Sequence, residues 1–359
     1  MAAGTRTVAG CRLLVRPWGQ TRSGSNHPPL RTNRQSFRDK DVLHMDNHVL
    51  LINKPAGVLS QSDRTGDVDV AALAREYVRV AARKTGEAFV AVVHRLDRPV
   101  SGVMCVARTS KAASRLSASF KKREGVEKIY HAVVAGKLSG SGVRRDLLLS
   151  PDGSGAVARH GRGPRTAIVL RGQGDDDDDA HHRLRAGSSP SSVAAAKPAE
   201  LEWKVIGVSP SAAACLRCPH TGDPRTLVRV RLITGRKHQI RAQLAEMGHP
   251  VVGDTRYGKH YSSRQRQNRG GISTAMADAD GRAMTLAPRL MEGAAEPLRD
   301  RSILLHASEL AVPHPTRPGT VVWARAPPPE IWSELCGREF IHDVFGGDWA
   351  EDRAGLAQL

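Results

Sequence analysis

Acidic residues are missing from the first 38 positions of this chain, which carry seven arginines (Arg6, Arg12, Arg16, Arg22, Arg31, Arg34, Arg38) with Ser and Thr between them. An Arg-rich, acid-free leader has the pattern of an organellar transit peptide. Residues 1–40 are therefore expected to be one, with a mitochondrial destination first and plastid or cytoplasmic placement as alternatives. The other reading of the same residues is a basic arm that grips RNA. Aromatic residues are scarce at 4%, which argues against an extended base-stacking surface of the single-strand-binding type. The cysteines are few and irregular (Cys11, Cys105, Cys215, Cys218, Cys336). They make no disulfide scaffold and suit a reducing compartment. No run of 18 apolar residues occurs, so no helical membrane span is expected.

Positive charge is what the chain has in excess. Its 359 residues, enough for one large domain or two, carry 54 Lys plus Arg against 36 Asp plus Glu, a net charge of +18. That balance points to a polyanionic partner, nucleic acid above all. Arginine outnumbers lysine 42 to 12, so a compositional bias accounts for part of the excess.

The densest cluster is His94-Arg95-Leu96-Asp97-Arg98-Pro99-Val100-Ser101-Gly102, set between the apolar runs 88–93 and 103–107. Strand, charged turn and strand follow one another. A carboxylate flanked by cations is favoured in its charged form. It can serve as nucleophile, base or salt-bridge partner, and the turn alone does not choose. The kinase catalytic loop is excluded, because Leu96 interrupts the His-Arg-Asp order and no Gly-rich loop precedes it. The second cluster is Thr234-Gly235-Arg236-Lys237-His238-Gln239-Ile240-Arg241-Ala242-Gln243-Leu244. A helix is expected from about Arg236, with Lys237, Arg241 and Leu244 as neighbours on it. Arg241, at the margin of core and cleft, calls for a carboxylate in bidentate contact, with Asp97 as the candidate; the other reading is a surface basic helix that only touches phosphate.

Periodicity predicts strands at 49–52, 128–134, 201–208, 227–233, 303–305, 307–312 and 320–324, and helices at 68–83, 110–122 and 329–339. Low-complexity insertions are expected at about 139–199, with its acidic run Asp175–Asp179 and a strand near 167–170, and at about 260–301. Strands and helices do not alternate as βαβ units, so the class is α+β. One domain is expected over 41–342, with a tail at 343–359.

Taken in order, Asn53-Lys54-Pro55-Ala56-Gly57, the His94–Gly102 turn, Lys128-Ile129-Tyr130-His131-Ala132, Thr234–Arg241, Gly248-His249-Pro250-Val251-Val252-Gly253-Asp254 with Tyr257-Gly258, and Leu305-His306-Ala307 make a pattern. It resembles the RluA-type RNA pseudouridine synthases over about residues 45–325, the insertions aside. Val100 stands where the family more usually has Thr.

The resemblance implies a mixed, largely antiparallel central sheet flanked by helices, with a catalytic cleft. It implies conversion of uridine in RNA to pseudouridine with no cofactor and no metal. Asp97 would be the essential carboxylate, attacking the sugar or removing its neighbouring proton. Tyr130 would pack on the base and assist proton removal, and Arg241 would pair with Asp97. Ile240 would line the pocket, and Arg95 would fill the place of the flipped base. Lys54, Arg236, Lys237 and His238 would contact RNA. Ribosomal RNA is the first expected partner, through the organellar large subunit or its assembly intermediates, with tRNA or mRNA next and no membrane. Two other classes stay open. One is a ribosome-assembly scaffold that keeps the fold without its catalysis. The other is a zinc-binding interaction protein, resting only on Cys215, Cys218 and His220 with His181 or His182.

Overall fold

The computed structural model describes residues 36–149, 168–171, 196–209, 224–258, 276–277, 283–284, 298 and 300–345, leaving out Lys84. The chain divides into two compact units, 1–30 and 31–359. The first lies outside the described residues, and so does most of the leader. The acidic run, Cys215, Cys218, His220 and the tail from 346 also lie outside them.

The second unit is built on one large sheet. Its strands are β1 (Val42–Met45), β2 (Val49–Lys54), β3 (Ala91–Val92), β4 (Ser101–Ala107), β5 (Glu127–Ala135), β6 (Ser141–Leu149), β7 (Ile168–Arg171), β8 (Lys197–Ser209), β9 (Arg225–Leu232), β12 (Leu305–Pro313) and β13 (Val321–Arg325). A separate hairpin pairs β10 (Met276–Ala277) with β11 (Ala283–Met284). The order across the sheet is β1-β2-β4-β12-β5-β9-β8-β6-β7, with β13 beside β12 and β3 beside β4. Only β4 and β12 run parallel; the other pairs are antiparallel. The class is α+β, a mixed and largely antiparallel sheet with helices.

Both faces of the sheet are covered. Alternate residues leave a strand on opposite faces. Leu50 and Ile52 of β2 therefore pack with Leu73, Ala74 and Val78 of α1 (Val70–Ala81) and with Ile240 and Leu244 of α3 (Gln239–Glu246) in one core. Val49 and Leu51 point the other way and pack in a second core with Ala112 and Leu116 of α2 (Ser110–Lys122). A third core gathers Val133, Leu227 and Leu304 around Trp332 of α4 (Ile331–Cys336) and Ile341 of α5 (Arg338–Phe345). Burial on both faces explains why β2 and β4 read as continuous apolar runs rather than alternating ones. Each fully buried aliphatic side chain contributes about 1.5–3 kcal/mol. The side chains of Asp69 and Thr109 accept the N–H groups of Ala72 and Ala112, capping α1 and α2.

The parallel β4–β12 contact needs Gly102. Its φ is +121°, and a Cβ there would overlap the Ala307 backbone. Without a side chain the two strands approach closely, which fixes the turn before β4 against the middle of the sheet.

Several expectations are corrected. The first insertion is shorter than 139–199, because Ser141–Leu149 is a full strand paired with β8. The Gly and Ser around it masked the apolar residues Leu147 and Leu148. The strand expected over 88–93 is only two residues long. Leu305 and the apolar run 307–312 form one strand, β12, which Ile303 and Leu304 precede and whose register shifts between Ala307 and Glu309. The helix expected over 329–339 is two short ones separated at Gly337.

Candidate active site

Asp97 sits on a stapled turn. The Val100 N–H donates to the Asp97 carbonyl, the Gly57 N–H to the Arg98 carbonyl, and the Ile303 N–H to the Pro99 carbonyl. Ser60 adds two bonds, donating to the Leu96 carbonyl at 2.6 Å and accepting its N–H at 3.0 Å. The flanking arginines do not hold the carboxylate. Arg98 turns back to Asp67 at 2.7 Å and to the Gly57 carbonyl at 3.0 Å. Arg95 is exposed and makes no hydrogen bond or ion pair among the described residues.

The cation that meets Asp97 comes from α3. Arg241 Nη1 donates to Asp97 Oδ2 at 2.7 Å. Its Nε and Nη2 donate to Oδ2 and Oδ1 of Asp254 at 2.6 and 2.9 Å. The expected bidentate partner is thus Asp254 rather than Asp97, which receives one N–H. The reason is geometric: Asp254 lies in the connector behind α3, with 1% of its side chain exposed against 22% for Asp97. It can face the long edge of the guanidinium, whereas Asp97 approaches from the cleft. The two carboxylates drive the guanidinium further above its ordinary range, against the effect of burial. Tyr257 completes the seat, with Arg241 Cζ 5.2 Å from its ring centroid. Asp97 Oδ1 has no hydrogen-bond donor among the described residues.

His238 precedes α3 in a left-handed conformation, φ +56°. That turn stops the helix from starting at Arg236. The Gln239 side-chain oxygen accepts the Arg236 N–H at 3.0 Å and the Thr234 hydroxyl at 2.7 Å. Lys237 therefore does not share a helical face with Arg241. His238 is buried, with Nδ1 3.0 Å from the Tyr257 hydroxyl and Nε2 3.6 Å from Asp97 Oδ2. Burial pulls its pKa down to about 4 although Asp97 opposes the shift, so the ring is neutral near pH 7. It meets Asp97 from inside the fold rather than as an exposed RNA contact.

Lys54 is likewise not an RNA contact. It is fully buried, and its ammonium donates to the carbonyls of Pro55 (3.0 Å), Val58 (2.9 Å) and Arg98 (3.4 Å). Burial lowers its pKa to about 7, with the charge of Asp97 acting in the opposite direction. Its place is beneath the Asp97 turn. Tyr130 and Ile240 share one core with Leu96. Burial, with the negative charge of Asp97, pushes the Tyr130 hydroxyl above its ordinary range, so it is protonated at neutral pH. Arg236 is half-buried and donates to the Pro198 carbonyl at 2.9 Å, while Lys237 is exposed.

The fold therefore brings Asp97, Arg241, Tyr130, Ile240 and His238 together, with Arg95 outside. Asp254 and Tyr257 join them through Arg241, although the sequence pattern gave neither a role. Their signal was an Asp following the tight Val251-Val252-Gly253 turn, the residue type a buried guanidinium requires. Among the described residues no group of His, Cys, Asp and Glu could hold a metal ion.

Residues 48–246 match the family model of RNA pseudouridylate synthase. A Xylella fastidiosa protein named ribosomal large subunit pseudouridine synthase D is 32% identical over 61% of this chain and 51% of its own length. This chain thus spans about half of that relative. A Yersinia pestis protein named tRNA pseudouridine synthase C is 30% identical over 69% of this chain and 86% of its own. The solved structure of human RNA pseudouridylate synthase domain containing 4 aligns over 83% of this chain and 92% of that one, with a TM-score of 0.52 and 19% identity; it shares the fold. The mixed sheet with its helices is the fold of this class, and the sequence matches show that the chain belongs to the RNA pseudouridylate synthase family, in its RluA-type branch.

Proposed function

We propose that this protein is an RNA pseudouridine synthase. The N1–C1′ bond of a uridine breaks, C5–C1′ forms in its place, the C5 proton leaves and N1 takes one up. The observation that carries the reading is Arg241, locked by Asp254 and donating its remaining edge to Asp97 Oδ2. That leaves Asp97 Oδ1 to act on the sugar, by attack at C1′ or by removal of the neighbouring proton. The arginine edge orients the carboxylate before substrate arrives, as preorganised electrostatics requires. Tyr130 and Ile240 provide the walls against which the detached uracil turns. With its hydroxyl protonated, Tyr130 meets the base first as a hydrogen-bond donor. A base must leave its stack to reach Asp97, at a cost of about a few kcal/mol. The exposed Arg95 guanidinium is free to stack in the vacated place and offset part of it.

Ribosomal RNA is the first substrate class and tRNA the second, in keeping with the names of the relatives. The acid-free leader supports delivery to an organelle, mitochondrial first. Pseudouridine mapping of organellar and cytoplasmic RNA in cells carrying Asp97→Ala at the native locus tests the whole reading. Loss of one or a few sites is expected and names the substrate. An unchanged map, with ribosome assembly failing only when the protein is removed, overturns it in favour of an RNA-binding scaffold. A tagged chain lacking 1–38 is expected to stay in the cytoplasm, and normal delivery overturns the targeting claim.

A further inference from the structure

Lys128 lies two residues before Tyr130 on β5, so both side chains leave the same face of the sheet, about 7 Å apart along the strand. It is half-buried, and among the described residues its ammonium has no hydrogen bond and no ion pair. Besides burial, which lowers its pKa to about 8, the influence on it is another cation, Arg123. Arg123 follows α2 in the left-handed conformation, φ +65°. Unlike Lys128 it is exposed, and it too has no hydrogen bond or ion pair among the described residues. The same Arg123 lowers the pKa of Arg236, after burial. Gly235 borders the group: a Cβ there would stand 3.2 Å from Lys128 Nζ. The loop at Gly235 thus lies against the Lys128 ammonium, with Arg236 next along the chain, its Nε on the Pro198 carbonyl and its two terminal nitrogens left for a further acceptor. Leaving an ammonium half-buried and unpaired costs free energy, and like charges gathered around it add to that cost. A bound anion offsets both.

We propose that Lys128, Arg123 and Arg236 form a subsite for one RNA backbone phosphate flanking the target uridine, with Lys128 as its inner wall. The proposal rests on the reading of the protein as an RNA enzyme and adds a contact that fixes which stretch of strand lies over Tyr130.

The test uses the full chain and a fluorescein-labelled RNA stem-loop with uridines in its loop. Binding is followed as salt is raised, for wild type, Lys128→Met, Lys128→Arg and Arg123→Asn. Asn tolerates the left-handed backbone, so the last variant is expected to fold even if Lys128→Met does not. Each neutral variant is expected to weaken binding several-fold and to reduce the slope of log affinity against log salt by about one. Lys128→Arg is expected to keep the wild-type slope. Weaker binding with an unchanged slope would make these residues structural and overturn the subsite. A melting-temperature rise with inorganic phosphate alone, lost in Lys128→Met while the RNA slope is unchanged, would assign the group to a free anion and also overturn it. Failure of the wild type to bind the RNA at all would overturn the functional reading itself, and the subsite with it.

Discussion

Asp254 is the residue whose removal best separates positioning from chemistry. Asp254→Asn leaves the shape of the site nearly unchanged but weakens the lock on Arg241. Turnover of the proposed reaction is expected to fall by about 100-fold, the loss that small misplacements of a reacting group produce, with RNA affinity little changed. Single-turnover kinetics beside an RNA-binding titration check this. Arg241→Met is harsher, because it strands a carboxylate that is 1% exposed. Breaking a buried pair from one side costs about 3–5 kcal/mol, so urea unfolding of Arg241→Met should show a loss of that order. If the variant is as stable as wild type, the Arg241–Asp254 pair does not hold the fold. Asp97→Asn is expected to abolish turnover while leaving RNA binding intact.

At the scale of elements, the site depends on two contacts that no single helix or strand explains. One is the close parallel approach of β4 and β12 at Gly102. Gly102→Ala must take φ +121° and push against the Ala307 backbone, and is expected to destabilise by more than about 1 kcal/mol, read as a lower urea midpoint. The Asp97 turn begins a few residues upstream, so turnover should fall in parallel. The other is α3, which starts late because His238 is left-handed and Gln239 caps the turn with its own side chain. By contrast, Thr109→Ala removes the cap of α2 far from the site. It is expected to cost about 1 kcal/mol with turnover unchanged in the surviving folded protein.

Over the whole molecule, acid stability follows from buried histidines. Burial lowers the pKa of His238 and His306 from 6.5 to about 4, and of His94 and His131 to about 3. Each accepts or shares a bond that suits the neutral ring. His94 Nε2 accepts the Cys105 N–H at 2.8 Å, His306 Nδ1 meets Ser101 at 2.8 Å, and His131 Nδ1 meets Ser308 at 2.7 Å. Because the folded values are depressed, the unfolded chain binds protons first. The stability from these groups is full above about pH 6.5 and is lost as pH falls towards 4. Thermal melts are expected to drop across that window, before the depressed carboxylate Asp46 titrates below 3.8. A melting temperature flat from pH 7 to 4.5 would contradict the neutral assignment.

Much of this was legible in the residues. Helix α2 matches its expected span because its cap, apolar spacing and basic end are all local, and the Lys128–Val134 strand and the α+β class follow from pattern in the same way. The His94–Gly102 and Thr234–Leu244 clusters announced that Asp97 and Arg241 matter. The sequence could not say how they meet. Charge alone nominated Arg95 and Arg98 as partners of Asp97, yet the turn aims one outward and the other at Asp67. Lys54 was expected from the resemblance to contact RNA, and it lies fully buried under the site. Asp254, thirteen residues beyond Arg241, became its main partner. Composition, periodicity and capping are properties of neighbours along the chain, so most of the elements and the kind of chemistry can be read from the residues in order. Which carboxylate faces which edge of a guanidinium depends on strands and loops far apart in sequence packing at fixed angles, which no local pattern encodes.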